Sequence, residues 1–341
     1  MRFALHAVCL AVLLCGLMPA ALAQPLAEAV RVPVADESES ARDQALGRAM
    51  DAMLVRLTGD PALPDTALAE RFRDSAGRYL VSFSYRAADD DAGMRLAVRF
   101  ERARLRDALS RAGVAVWPTP PPNVVVWLAV ERDDRRFLVD ADQGALMRER
   151  LREAAAPLGL SLLFPLMDLQ DRGSLGYGDI AGGFADPVRA ASARYAGEAA
   201  LAGRLQIDRN GAVQTRWMLL TGDDSAVQRW VGEADAAAPA LEAAVGTLTE
   251  RLRSVYAYVP EASAGRQVMI TVRGIDSLAA HTRLLARLET LAGVERVVPV
   301  EVAGDAVRLQ LAVSVDEARV REALARDGRL RAQGDGYHWR P

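Results

Sequence analysis

The sequence predicts three small domains in a row, of mixed α/β and α+β class. Three observations carry that expectation. The run Pro118-Thr119-Pro120-Pro121-Pro122 lacks most of the backbone donors a sheet needs, so it reads as an extended linker over 118–123. Strand and helix periodicities gather into one group before it and two after it. The chain has 341 residues, 51% of them hydrophobic, enough for two or three packed cores.

The first residues read as an address. Arg2 precedes an apolar stretch from Ala7 to Met18, and Ala21-Leu22-Ala23 gives a small-x-small site before Gln24. Residues 1–23 are thus expected to be a secretory signal peptide cleaved after Ala23, with no transmembrane segment beyond it. Both cysteines, Cys9 and Cys15, fall inside this stretch. Leu14 stands where a lipoprotein signal wants a small residue, so lipidation is not expected. The cleaved chain has no cysteine for a disulfide, a nucleophile or a metal site.

The first domain, 24–117, opens with a strand at Val30, Val32 and Val34. Ser38 can cap a helix whose stripe is Leu46, Met50, Met53 and Leu57. Gly59 and Pro61 end it. Tyr79 to Tyr85 and Met94 to Phe100 alternate as strands around a polar turn at 89–93, and Leu105, Leu109 and Ala112 mark a closing helix. The result is a small α+β domain with helices on one face of a sheet.

The middle domain, 124–260, starts with Val124 to Val130, a continuous apolar run typical of a strand covered on both faces. A turn at Asp133-Asp134 leads to a helix with Met147, Leu151, Ala154 and Leu158 on one side. Leu160 to Leu166 returns as a strand, followed by an acidic Gly-rich loop. Asp186 and Pro187 suggest an N-cap and first helical position for Val188, Ala191 and Tyr195. Ala199 to Leu205 is a strand, Asn210-Gly211 a hairpin, and two more strands flank Gly222-Asp223-Asp224. Trp217 and Trp230 then make a cross-strand core pair. Pro239 opens a last helix with Leu241, Val245, Leu248, Leu252 and Val255 on one face. The plan is a mixed sheet between helices.

The last domain, 265–341, reads β-α-β-β-α-β, the ferredoxin-like order. Its parts are a strand at Val268, Ile270 and Val272; a helix capped by Asp276 carrying Leu278, His281, Leu285 and Leu288; paired strands Val298-Val302 and Val307-Val313; and a helix from Glu317 to Ala325 before a short strand.

Composition excludes more chemistry than it offers. Every basic residue is arginine, and the formal net charge of −3 gives no steering towards nucleic acid. Stacking of RNA bases on the last sheet needs aromatics where the strands offer Val, Ile and Leu. Nucleophilic catalysis usually needs a histidine base, and after the leader only His281, on an apolar helix face, and His338, near the end, remain. Neither has a partner at ligand spacing. No phosphate loop or dinucleotide glycine pattern occurs. The expectation is no catalytic residue, no metal site and no cofactor. The one constellation with chemistry is acidic: Asp168, Asp171, Asp179 and Asp186 around Gly182-Gly183, with Phe184 beside them. Two carboxylates can serve acid and base roles on a glycan. The same residue types also build turns and caps. Asp168, Asp171, Asp179 and Phe184 are the candidates for partner binding.

The stretches AVRVPVADESESARDQALGRAMDAMLVRLTGD, VVVWLAVE, LLFPLMDLQD, GGFADPVRAASARYAGEAALAGRL and ITVRGIDSL…VAGDAVRLQL together resemble the proteobacterial envelope family domain-of-unknown-function 2066. The middle domain is similar in plan to a group of periplasmic domains. They include the amino-terminal domain of the Tol translocation protein, the curli-export lipoprotein and the lipoprotein activators of penicillin-binding proteins. The first domain resembles the N-terminal domain of the flagellar T-ring protein. The resemblance implies a periplasmic, non-catalytic accessory or adaptor protein that binds envelope proteins. The alternatives are a carboxylate-dependent hydrolase acting on envelope glycans and a small-ligand or metal-ion sensing module.

Overall fold

A computed structural model describes residues 29–87, 93–195, 197–222, 226–260 and 267–340. The expected signal peptide, most of the turn expected at 89–93 and the pair Asp223-Asp224 lie outside the described residues. The fold is a multidomain mixture of helices and sheets, with an antiparallel sheet, a mixed sheet and a second mixed sheet in succession.

The first sheet has the order β1-β3-β2, from β1 (Val30–Val34), β2 (Leu80–Ala87) and β3 (Met94–Phe100), all antiparallel. Helix α1 (Glu39–Thr58) starts at Ser38, whose hydroxyl accepts the Ala41 N–H at 3.3 Å, and stops at Gly59 with φ 66°. Its buried face is Ala45, Ala49, Met50, Met53, Leu54 and Leu57, so the stripe runs one step round from the expected Leu46. Helices α2 (Ala67–Asp74) and α3 (Arg102–Arg111) complete this core. Ala112 lies beyond α3 and is exposed.

In the middle domain β4 (Asn123–Arg132) is buried from Val124 to Val130. Its even-numbered residues enter one core, and Val125, Trp127 and Ala129 enter another on the opposite face. That is the signature of a strand between two helical layers. The sheet order is β5-β4-β7-β8-β9, with β5 (Arg135–Leu138) at one edge, β7 (Ala199–Ile207) parallel to β4, and β8 (Val213–Thr221) and β9 (Ala226–Ala234) continuing as antiparallel meander strands. Trp217 opposes Trp230 with rings stacked at 6.2 Å, as the alternation predicts. Helices α4 (Ala145–Ala155) and α8 (Ala237–Tyr256) cover one face. Three helices cover the other: α5 (Leu169–Ser174), α6 (Tyr177–Ala181) and α7 (Ala185–Ser192).

Four expectations for this domain are corrected. The turn at Asp133-Asp134 has φ 49° and 63°, the two positive values that suit a tight hairpin, and it returns the chain as β5 (Arg135–Leu138) before α4. The strand expected over Leu160–Leu166 is only β6 (Ser161–Leu163), because Pro165 cannot donate to a ladder. The acidic loop is largely helical, folded as α5 and α6. Helix α7 begins at Ala185, so Asp186 stands in its first turn and Phe184 is its N-cap residue.

The last sheet has the order β11-β12-β10-β14-β13, from β10 (Gln267–Arg273), β11 (Val294–Ala303), β12 (Ala306–Val313), β13 (Leu330–Gln333) and β14 (Gly336–Trp339). Helices α9 (Leu278–Glu289) and α10 (Glu317–Arg326) cover one face. The ferredoxin-like succession holds as far as α10, and a hairpin follows in place of one strand. Its second strand, β14, pairs parallel to β10. Helix α9 is capped by Ser277, whose hydroxyl accepts from Ala280 N–H at 3.2 Å, and not by Asp276. Its buried face is Ala280, Leu284 and Leu288, while Leu278 is exposed. Val298, Val300 and Val302 also face outward, since register shifts at Val294/Arg296 and Pro299/Glu301 break the alternation of β11.

The domains are joined at Trp117. Its side chain belongs to the middle-domain core, its backbone N–H donates to Leu57 of α1 at 2.8 Å, and its indole N–H donates to the Leu158 carbonyl at 2.9 Å. A Cβ on Gly59 would lie 2.5 Å from the Trp117 ring, and one on Gly159 would lie 2.2 Å from the Arg56 carbonyl oxygen. Both glycines have positive φ, so close approach and backbone conformation demand the same residue. Replacing Gly159→Ala should therefore destabilise by more than about 1 kcal/mol. Trp117→Ala should destabilise by about 3–5 kcal/mol. Gly173→Ala, where nothing lies within 4 Å of the added Cβ, should be neutral or slightly stabilising. Thermal denaturation of the three variants checks the order.

Candidate functional site

The four acidic residues singled out by sequence do not converge on open space. Asp168 is the N-cap of α5 and accepts the Asp171 N–H at 2.9 Å. It also receives a two-pronged contact from Arg194, both legs 2.9 Å. Arg194 holds its carboxyl well below the ordinary value of 3.8, at about 2, with the Asp171 N–H helping. Asp171 is fully buried and accepts from Met167 N–H at 2.9 Å, from Arg194 at 2.8 Å and from the Tyr195 hydroxyl. Burial, and then Asp171, push the Tyr195 hydroxyl above its usual range. Asp179 accepts Gly176 N–H at 2.8 Å, closing the first turn of α6. The Asp186 carboxylate makes no hydrogen bond among the described residues, and Phe184 is 58% exposed at the other end of α7 from Arg194. Asp168 and Asp171 thus form one cluster, separate from Asp179 and Phe184. Leu166 and Leu169 flank that cluster, and Leu169 is 90% exposed.

Sequence reasoning missed a second carboxylate cluster at the carboxyl end of β4. Glu131 accepts from Arg204 at 2.8 Å, from Arg136 at 3.1 Å and from the Tyr177 hydroxyl at 3.1 Å. Arg204 first and Arg136 second draw its pKa down to about 2. Glu131 lies opposite Gln206 and Arg136 in the sheet, so the cluster joins residues far apart in the chain. Only the final fold brings them together. Among the described residues no group of three metal-ligating side chains occurs, and no helix is long and apolar enough to cross a membrane.

The third domain carries a surface of a different kind. Its sheet has helices on one face only, and register places Arg273, His338 and Arg331 in one row across β10, β14 and β13 on the other. Arg296, Ala312, Met269, Gln310 and Val298 share that face by the same pairings. Arg273, Arg296 and Arg331 are exposed and make no ion pair among the described residues, whereas Glu301 is paired with Arg308. The face is thus basic in a chain of negative net charge, with Met269 and Val298 as apolar contacts and β11 as a free edge.

Residues 20–118 match a family model described as Domain of unknown function (DUF8605), which spans the first sheet and its helices. A search of curated proteins finds no match. A solved structure described as an uncharacterized protein is similar over 39% of this chain and 91% of its own length, at 11% identity and a TM-score of 0.19.

The two sequence-predicted carboxylates nearest each other answer to direct tests. Asp171→Asn removes the anion from a buried pair and should cost about 3 kcal/mol of stability, measured by urea unfolding. The folded Asp168 carboxyl titrates near 2 against an ordinary 3.8, so its contribution is complete above about pH 4 and is lost as pH falls towards 2. Asp168→Asn should flatten the decline of melting temperature across that window and leave the neutral range without a new titration.

Proposed function

We propose that the protein is a non-catalytic accessory protein of the bacterial envelope, secreted to the periplasm, that binds a protein partner. The partner surface is the open sheet face of the third domain, and it takes an extended acidic segment. The observation that carries this reading is the row Arg273-His338-Arg331 with Arg296, three arginines without carboxylates beside apolar Met269 and Val298 and a ten-residue free edge. A strand laid on such an edge gains main-chain hydrogen bonds, and the arginines select acidic side chains. The state of the carboxylates supports the non-catalytic half of the proposal. A glycan hydrolase needs one carboxyl that keeps its proton near neutral pH. Asp168 and Glu131 are both drawn to about 2 by arginines, the opposite direction.

The test is a photo-crosslinking residue placed at Met269 or Val298 in growing cells, with exposed Glu242 on α8 as the control position. Adducts with a defined envelope protein are expected at the two sheet positions, and Arg273→Glu with Arg331→Glu should reduce them at least about tenfold. Adducts no stronger than at Glu242, or unchanged by charge reversal, would overturn the proposal.

A further inference from the structure

Between the middle and third domains lies a cavity of about 580 Å³, a volume suited to a small organic molecule. The linker prolines Pro118, Pro120 and Pro122 form one side of it. The amino end of β7 and the last turn of α7 form a second, and the carboxyl ends of α9 and α10 a third. The cavity therefore sits at the opposite end of β4 and β7 from the Glu131 cluster.

The charges on its walls divide into two sets. Arg287 bonds Glu198 at 2.8 Å and Asp327 at 2.5 Å, and Arg326 bonds Glu322 and the Val255 carbonyl. Those groups are committed to holding the two domains together. Among the described residues the guanidinium groups of the second set have no carboxylate partner. The Arg189 guanidinium donates to the Gly222 carbonyl at 3.2 Å and the Arg319 guanidinium to the Ala257 carbonyl at 3.3 Å. The Arg329 guanidinium makes no hydrogen bond or ion pair among the described residues. Against these three cations stands, among the described residues, one wall carboxylate without a basic partner, Asp186. Leu220, Leu291 and Val315 supply apolar surface in the same enclosure. Arg189 and Arg329 are half-buried and Arg319 is exposed at the rim, and cations gathered on one cleft without counter-charges attract an anion.

We propose that this cavity binds an organic anion with a carboxylate or phosphate head and a compact apolar body. Arg189 belongs to the middle domain, and Arg319 and Arg329 to the third, so one bound head group bridges the two domains. The inference is independent of the docking face on the third sheet.

Isothermal titration of the full chain with octyl phosphate and with octanoate tests it, with octyl glucoside as the uncharged control. One site per chain is expected for at least one anion and none for the glucoside, together with a rise in melting temperature on binding. Arg189→Gln and Arg329→Gln should each weaken binding about tenfold while leaving the unliganded melting temperature unchanged. Arg273→Gln, on the far face of the third sheet, should leave binding unchanged. Ala323→Trp, which fills the space without removing a charge, should abolish it. Which head group binds more tightly distinguishes a phosphate from a carboxylate ligand. Binding of neither anion, equal binding of the glucoside, or anion affinity indifferent to Arg189 and Arg329 overturns the proposal.

Discussion

Trp117 is the point through which the arrangement of the domains is transmitted. Its ring fills the middle core and its two N–H groups reach Leu57 in the first domain and Leu158 in the middle one. Its carbonyl takes the Arg106 guanidinium at 2.6 Å. The residue before it, Val116, exchanges backbone hydrogen bonds with Tyr258 at 2.8 and 3.1 Å. Tyr258 in turn lies in the third-domain core. Two adjacent residues thus contact three hydrophobic cores, and the geometry of the prolines that follow is set from one end. Pro118, Pro120 and Pro122, which read as part of a spacer, also line a wall of the cavity.

The arginine-only composition acquires a physical role in this setting. A guanidinium has five donors in a planar fork and can serve a carboxylate and a backbone carbonyl at once. Arg326 and Arg319 reach the carbonyls of Val255 and Ala257 at the end of α8, where helix geometry leaves acceptors open and favours positive charge. Arg253 crosses to Asp60 at 3.0 Å, and Arg106 to the Tyr258 hydroxyl at 3.3 Å. Polar contacts of this kind join domains whose apolar residues are already engaged in their own cores.

Local pattern was sufficient wherever one element decided the outcome. The apolar run of β4, the Ser38 cap, the paired tryptophans and the bounds of β3 were all legible because burial or capping there depends on neighbours in the chain or the adjacent strand. Reading failed where a local preference was overruled. Gly173, Gly176 and Gly178 argue for a loop, yet Asp168 and Asp179 bond the first turns of α5 and α6, and Leu175 and Ile180 bury themselves against the sheet. Arg135 and Arg136 hid β5, whose pairing with β4 comes from the backbone turn before it. The bulged edge strand β11 turned an alternating valine pattern to the outside. The basic sheet face and the arginine-walled cavity had no signal at all, since each gathers residues from several elements.

The bridge between Val116 and Tyr258 also has a meaning in time. Arg106 and its partner Tyr258 are separated by 152 residues. A ribosome working from the amino end completes every element of the first domain long before it makes Tyr258. During that interval the first domain has its own core but lacks the strand partner for Val116 and the hydroxyl for Arg106. The nascent chain must carry an open seam there until the whole middle domain has been synthesised. Closing it is an event of late translation.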